Sequence, residues 1–183
     1  MNSFRKDYTK LYLLQNRFLK WWCDLALPFY LTGGTALGRF YLNHRYSEDL
    51  DYIGKPATYQ FGMIDTPMNI LSNKLTAIIG PDESKDIFDI IHLSLNYSFN
   101  WLEIFNHAKE KAVINELDVE QRIVSFPVEW LESVHWLNTS FNLESTRKIL
   151  IQIADDFLLG KPNSLGKDKI PIEMAKPFVI ATK

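Results

Sequence analysis

Two pairs of residues carry the chemistry that this chain can do. Gly33 and Gly34 stand together in LTGGTAL, and Asp49 and Asp51 flank Leu50 in SEDLDY. A glycine pair at a strand-to-helix turn lets the backbone approach a ligand closely, and the N–H groups of a helix start face an anion such as phosphate. In an extended strand, Asp-Leu-Asp puts both carboxylates on one face, about 7 Å apart along the chain, where they can grip the same cations. Hard cations held by carboxylates and by substrate phosphates stabilise the attacking and leaving oxygens of phosphoryl chemistry. Each pair alone is a weak signal, because glycines also serve turns sterically and acidic strand faces discourage edge pairing. Joined in one short run and in this order, they are a strong one.

The elements that must position these residues follow from periodicity. Residues 6–27 place Tyr8, Leu11, Tyr12, Phe18, Leu19, Trp22 and Leu25 near a 3.6-residue period, which predicts an amphipathic helix stopped by Pro28, with Cys23 as a buried thiol on its apolar face. FYLT reads as a strand, Thr35 to Asn43 as a helix burying Leu37, Phe40 and Tyr41, and SEDLDYI as a second strand. Thr66 as N-cap and Pro67 at the first helical position start another helix that ends at Gly80-Pro81, with Met68, Leu71, Leu75 and Ile78 as its buried stripe. Lys74 lies on the border of that stripe, where its stem can be covered while its ammonium reaches a cleft. In SKDIFDII, Ile87, Ile90 and Ile91 point inward; Asp86 and Asp89 share the other side, and Lys85 is spaced to pair with Asp89. Spacing alone reads that side as a solvated, salt-bridged face.

Beyond residue 100 the pattern is helical, around Pro127 to Leu137 and from Leu143 to Leu159, with Gly160 as C-cap; Trp101, Trp130 and Trp136 read as core. From Lys161 the chain holds Lys161, Lys167, Lys169, Lys176 and Lys183 against Asp168 and Glu173. That composition reads as a solvated, linker-like tail or, more sharply, as a contact to RNA phosphates. The 183 residues are 46% hydrophobic, enough for a real core, and no apolar run approaches a membrane span, so no membrane partner and a cytoplasmic location are expected. One cysteine excludes an internal disulfide framework, and a net charge of −2 excludes a uniformly basic coat.

LTGGTAL, HRYSEDLDY and NKLTAIIGPDESKDIFDI together resemble the nucleotidyltransferases of the DNA polymerase β superfold, and within them the AbiEii/AbiGii toxin-like group, over residues 10–95. The resemblance implies transfer of a nucleotidyl group from a nucleoside triphosphate, with Mg2+ or Mn2+, to a hydroxyl acceptor, RNA and specifically transfer RNA, by the toxin half of a toxin–antitoxin pair with a cognate antitoxin protein. With the helical pattern and the lysines beyond it, the expected architecture is an α+β fold, a small mixed β-sheet nucleotidyltransferase core in residues 1–66 followed by a helical lobe in 67–160 and a basic tail in 161–183. The resemblance assigns Gly33, Gly34, Thr35 and Lys74 to the triphosphate, Asp49 and Asp51 to the metals and, with Lys74, to catalysis. His44 and Arg45 fall at the family's HR pair. The guanidinium of Arg45 suits a phosphate or a clamp on Asp49 and Asp51, or else a helix C-terminus. Lys85, Asp86 and Asp89 become candidates for supporting the site or receiving the acceptor. One departure stands out: only residues 52–73 separate the second strand from Lys74, so a strand bearing a third carboxylate is expected to be missing. Asp65 is the one acid available there, read as part of the helix-capping turn or as a third metal ligand. The alternative function is therefore a catalytically degenerate relative that binds nucleotide, RNA or a protein without turnover.

Overall fold

A computed structural model describes residues 7–52, the backbone of 57–59, and residues 62–80, 84–137 and 142–179. Helix α1, Tyr8–Asp24, is capped by Asp7, whose carboxylate accepts the Lys10 N–H at 3.2 Å. It ends earlier than Pro28 requires, because Ala26 turns left-handed at φ 50°. Its buried positions are Gln15 and Leu19, while Leu25 is exposed. Cys23 is also exposed, which corrects the expected buried thiol: an apolar neighbourhood along the helix does not by itself provide a covering element.

Strand β1, Leu31–Thr32, runs into α2, Gly33–Leu37, which starts at the first glycine and continues as a π-helical turn through Gly38–Leu42. Asn43, left-handed at φ 49°, closes it. The second strand, β2, is only Asp51–Tyr52, so Asp49 lies before the strand and not within it. Two further strands, β3 (Ala57–Tyr59) and β4 (Gly62–Ile64), form a hairpin that periodicity did not signal because neither exceeds three residues. The sheet order is β2-β1-β4-β3, with β1 antiparallel to β2 and parallel to β4. This is the small mixed sheet of an α+β protein; a strand does follow Asp51, as β4, but it bears no acid, and Asp65 comes directly after it.

Thr66 caps α3, Pro67–Ala77, by accepting the Asn69 N–H at 3.3 Å, as its sequence predicts. Helices α4 (Ser84–Asn96), α5 (Trp101–Lys109), α6 (Glu116–Ser125) and α7 (Leu143–Leu158) follow, with α3 against α4 and α5, and α6 against α7. One hydrophobic cluster reaches from Leu19 and Leu31 through Leu71, Phe88 and Trp101 to Phe157 and Ile172, so the core does not break at Thr66. Trp101 is buried and Trp136 partly so, but Trp130 is 49% exposed and not core.

The segment after Gly160 is not a solvated tail. Buried Asn163 donates to the Ser94 and Tyr97 carbonyls at 2.7 and 2.8 Å, and Asp156 accepts both the N–H and the hydroxyl of Ser164 at 2.8 and 2.6 Å. Ile172, in a 3-10 turn over Ile172–Met174, is 1% exposed, and the Phe178 N–H reaches the Phe40 carbonyl. Lys161, Lys167, Lys169 and Lys176 stay on the surface of this strap, and Lys183 lies outside the described residues. Replacing Ile172 by Ala is expected to cost about 2–5 kcal/mol in urea denaturation, as for a buried aliphatic side chain. A loss under about 0.5 kcal/mol would return the segment to a surface tail.

Candidate functional site

The two glycines serve two different side chains. Gly33 is left-handed at φ +66°, and a Cβ there would run into Asp51 Oδ2 and lie 3.1 Å from its Cγ. A Cβ on Gly34 would run into Arg45 Nη2 and lie 3.1 Å from Ser47 Oγ. The Thr35 hydroxyl donates to the Asp49 carbonyl, tying the loop before β2 to the first turn of α2. The helix start, the Asp49–Asp51 segment and Arg45 are thus one packed unit, although no regular strand carries Asp49.

Behind this unit lies a buried ionic cluster centred on Asp89, which is 0% exposed. Arg45 donates from Nε and Nη2 to Asp89 Oδ1 and Oδ2 at 2.6 and 2.7 Å, and His44 Nε2 meets Oδ1 at 2.8 Å. Lys74 Nζ bridges Asp89 Oδ2 at 3.0 Å and Asp86 Oδ1 at 2.5 Å. The expected solvated face of α4 is therefore corrected: Asp89 points inward with the isoleucines, and Lys85 is exposed with no ion pair among the described residues. Arg45 neither clamps Asp49 and Asp51 nor merely closes a helix; its guanidinium is spent on Asp89 and on the Tyr46 carbonyl. The Lys74 ammonium faces two carboxylates and not an open cleft.

Burial opposes the ionised form of Asp89, but Lys74 and then Arg45 outweigh it and hold the carboxyl well below the usual carboxylate range. Burial lowers His44, so it stands as a neutral ring whose Nε2–H donates to Asp89. His92, 4.9 Å from His44 between ring centres, is pushed down to about 3 by burial and by the neighbouring histidine. Backbone bonds from Tyr46 N–H to the His135 carbonyl and from Leu137 N–H to the His44 carbonyl, both 3.0 Å, pin the HR segment to residues 135–137.

Asp65 sits across β1 from Asp51. Thr32 pairs with Asp51 on one side, and on the other its hydroxyl donates to Asp65 Oδ2 at 2.5 Å. Asn69 Nδ2 donates to both Asp65 oxygens at 2.8 and 2.9 Å, and the Thr66 N–H to Oδ1 at 2.8 Å. Asp65 is 1% exposed, so all of its acceptor capacity is turned into the protein. Among the described residues no three of His, Cys, Asp and Glu gather as a metal-holding group, and the Asp65 oxygens are taken up by Thr32, Asn69 and Thr66. The sequence reading missed Thr32, Asn69 and Ser47 as members of this framework; the threonine directly before Gly33 was the available signal.

Asp51 is raised above the ordinary carboxylate range, first by desolvation and then by the negative charge of Asp49, which Lys74 only partly offsets. Two hard oxygen donors whose repulsion is only partly relieved would suit Mg2+ or Mn2+, which is held through one or two carboxylates and completed by water and substrate phosphates.

Residues 19–61 match the family model described as Nucleotidyl transferase AbiEii toxin, Type IV TA system. That match supports the AbiEii resemblance, and the family is one of nucleotidyltransferase toxins of type IV toxin–antitoxin systems. The matched stretch holds the glycine turn, the HR pair and both Asp49 and Asp51, and it excludes Lys74, Asp86 and Asp89. No curated protein and no solved structure matches the chain.

Asp89→Asn leaves Lys74 and Arg45 with an uncharged partner, and a loss of about 3–5 kcal/mol in urea denaturation is expected. Because the folded carboxyl is depressed, its contribution is complete above the unfolded pKa of about 3.9 and fades as pH falls below it. The wild type should therefore lose stability more steeply than Asp89→Asn on acidification below about pH 4; parallel pH profiles would contradict the ion cluster. Asp65→Ala strands Thr32 and Asn69, and should cost about 2–3 kcal/mol, well beyond a surface helix-cap change. A loss below about 0.5 kcal/mol would show that Asp65 is replaceable.

Proposed function

We propose that this chain is a metal-dependent nucleotidyltransferase moving a nucleotidyl group from a nucleoside triphosphate to a hydroxyl of RNA, with transfer RNA as acceptor, in the cytoplasm and as the toxin of a pair with an antitoxin protein. The observation that carries the reading is the Gly33 turn closed by the Asp51 carboxylate, which brings an anion-accepting helix start and a cation-accepting pair together. The family match over the same residues supports it.

In this reading the backbone N–H groups at Gly33, Gly34 and Thr35 receive phosphate oxygens. Mg2+ or Mn2+ at Asp49 and Asp51, when bound, supplies the charge that stabilises the oxygens on either side of the reacting phosphorus. The acceptor hydroxyl forms the new P–O bond at the α-phosphorus, pyrophosphate leaves, and the hydroxyl proton passes to solvent or to a carboxylate of the pair. Thr35 holds the Asp49 backbone in place, and Arg45 backs Gly34. Lys74 adds positive potential from behind Asp51, and Asp86 and Asp89 aim it. His44 fixes the Asp89 carboxylate from the other side.

A second reading, binding of nucleotide, RNA or a protein without turnover, is favoured by one observation: Asp65, the acid directly after β4, is locked to Thr32 and Asn69. The two readings part in one experiment. The protein is heated with each triphosphate and Mg2+ or Mn2+, and in parallel incubated with α-labelled triphosphate and total RNA. The wild type should gain stability, about 2.7 kcal/mol at a hundredfold excess over Kd, and put label on RNA; Asp51→Asn should lose both. Equal thermal shifts for the two proteins would remove the metal role, and a wild-type shift without label would select the second reading.

A further inference from the structure

Helix α1 carries a second apolar stripe, turned away from the core. Leu14 is 63%, Phe18 36%, Trp21 54% and Leu25 44% exposed, while Gln15 and Leu19 of the same helix are buried. The spacing of four, three and four residues is that of alternating d and a positions in a heptad repeat, a narrow seam that meets another helix. At 3.6 residues per turn the seam faces about a third of a turn away from Gln15 and Leu19. Phe18 and Trp21 have ring centres 5.5 Å apart and rest on Trp22 at 5.8 and 6.3 Å, which holds both rings in place before any partner arrives. Aromatic anchors fixed in this way bind with little loss of side-chain freedom. Two opposite charges flank the seam on one side: Arg17 directly before Phe18 and, seven residues on, Asp24 directly before Leu25. Neither makes an ion pair among the described residues. No acid stands one helical turn from Arg17, and Lys20, one turn before Asp24, lies on the side of the helix away from the seam.

We propose that this seam joins two copies of the chain through an antiparallel, two-fold symmetric pair of α1 helices. The charges decide both the occupant and its direction. A parallel pair would set Arg17 against Arg17 and Asp24 against Asp24. An antiparallel pair sets Leu14 against Leu25 of the second copy and Phe18 against its Trp21, and it brings Arg17 beside Asp24 of that copy; the two-fold axis makes each contact twice. The stripe is thus complementary to itself in order and in charge, as an isologous interface must be. The pairing does not depend on the transferase reading, but it bears on the same segment. Gln15 donates to the carbonyls of Ser47 and Glu48 at 3.4 and 3.0 Å, so the paired helix is also the one that holds the chain leading to Asp49.

The test is sedimentation velocity on the full chain over a range of concentrations. The wild type should form a dimer of twice 21.3 kDa. Trp21→Glu puts a charge into the seam and should leave a monomer. Arg17→Asp and Asp24→Arg each set two like-charged pairs across the axis, and each should weaken the dimer about tenfold or more. An equimolar mixture of these two single variants should regain the wild-type affinity, because every mixed dimer then has two opposite pairs; the chain carrying both substitutions should regain it too. All three positions are exposed, and an unchanged far-ultraviolet circular dichroism spectrum shows that each variant is folded. A wild type that sediments as a monomer overturns the proposal and leaves the seam to a helix of a different protein. A dimer that Trp21→Glu leaves intact overturns it as well, and so does a mixture of the two charge variants that pairs no more tightly than either alone.

Discussion

A single carboxylate with no contact to solvent sets the terms for the rest of this molecule. Asp89 is ionised at 0% exposure because Lys74 comes to it from α3, and Arg45 and His44 come to it from the segment after the π-helical turn. Desolvating one charge is costly unless its partners are held in good geometry, so none of the four groups can relax without exposing the others. With Asp86 included, two acids meet two bases around a neutral histidine, and the cluster carries no net charge into the core. Its geometric effect reaches the glycine turn, since the Nη2 that binds Asp89 also fills the space that a side chain on Gly34 would need.

The sheet performs a comparable service with two residues. Thr32 faces Asp51 through the backbone register of β1 and β2, and Asp65 through its hydroxyl. One threonine therefore separates an acid left with a like-charged neighbour from an acid whose charge is absorbed by hydrogen bonds. Burial pushes both carboxyls up; beside Asp51 the charge of Asp49 adds to that rise, whereas at Asp65 the hydrogen bonds from Thr32, Asn69 and Thr66 oppose it. Asp49 and Asp51 repel each other, while the oxygens of Asp65 are hydrogen-bonded and turned inward.

Much of this arrangement was legible in the sequence, and the part that was not has a common cause. Gly33, Gly34 and the Thr66-Pro67 helix start are local signals, because turn conformation and capping depend on neighbours within a few residues. Asp89 was illegible because an i, i+3 pair of acids beside a lysine has the same spacing on a solvated face and on a buried one. What distinguishes them is the arrival of Arg45 and Lys74, far away in the chain. Cys23 and Trp130 failed in the reverse sense: apolar neighbours along the chain promised a burial that the described residues do not supply. The strap after Gly160 was read from its lysines, whereas its placement is decided by Asn163 and Ile172, two residues without a strong local pattern.

That strap has a consequence for the order in which the protein matures. A ribosome releases the glycine turn and the Asp49–Asp51 segment early, but Phe40, in the helical run that follows the turn, receives its backbone partner from Phe178. Ile172 completes a core that already contains Leu31 and Leu37. A growing chain thus carries every residue of the candidate site before it carries the strap that packs behind it. Assembly of the finished shape waits for translation to reach the strap, so a prematurely terminated chain presents the motif without the fold that organises it.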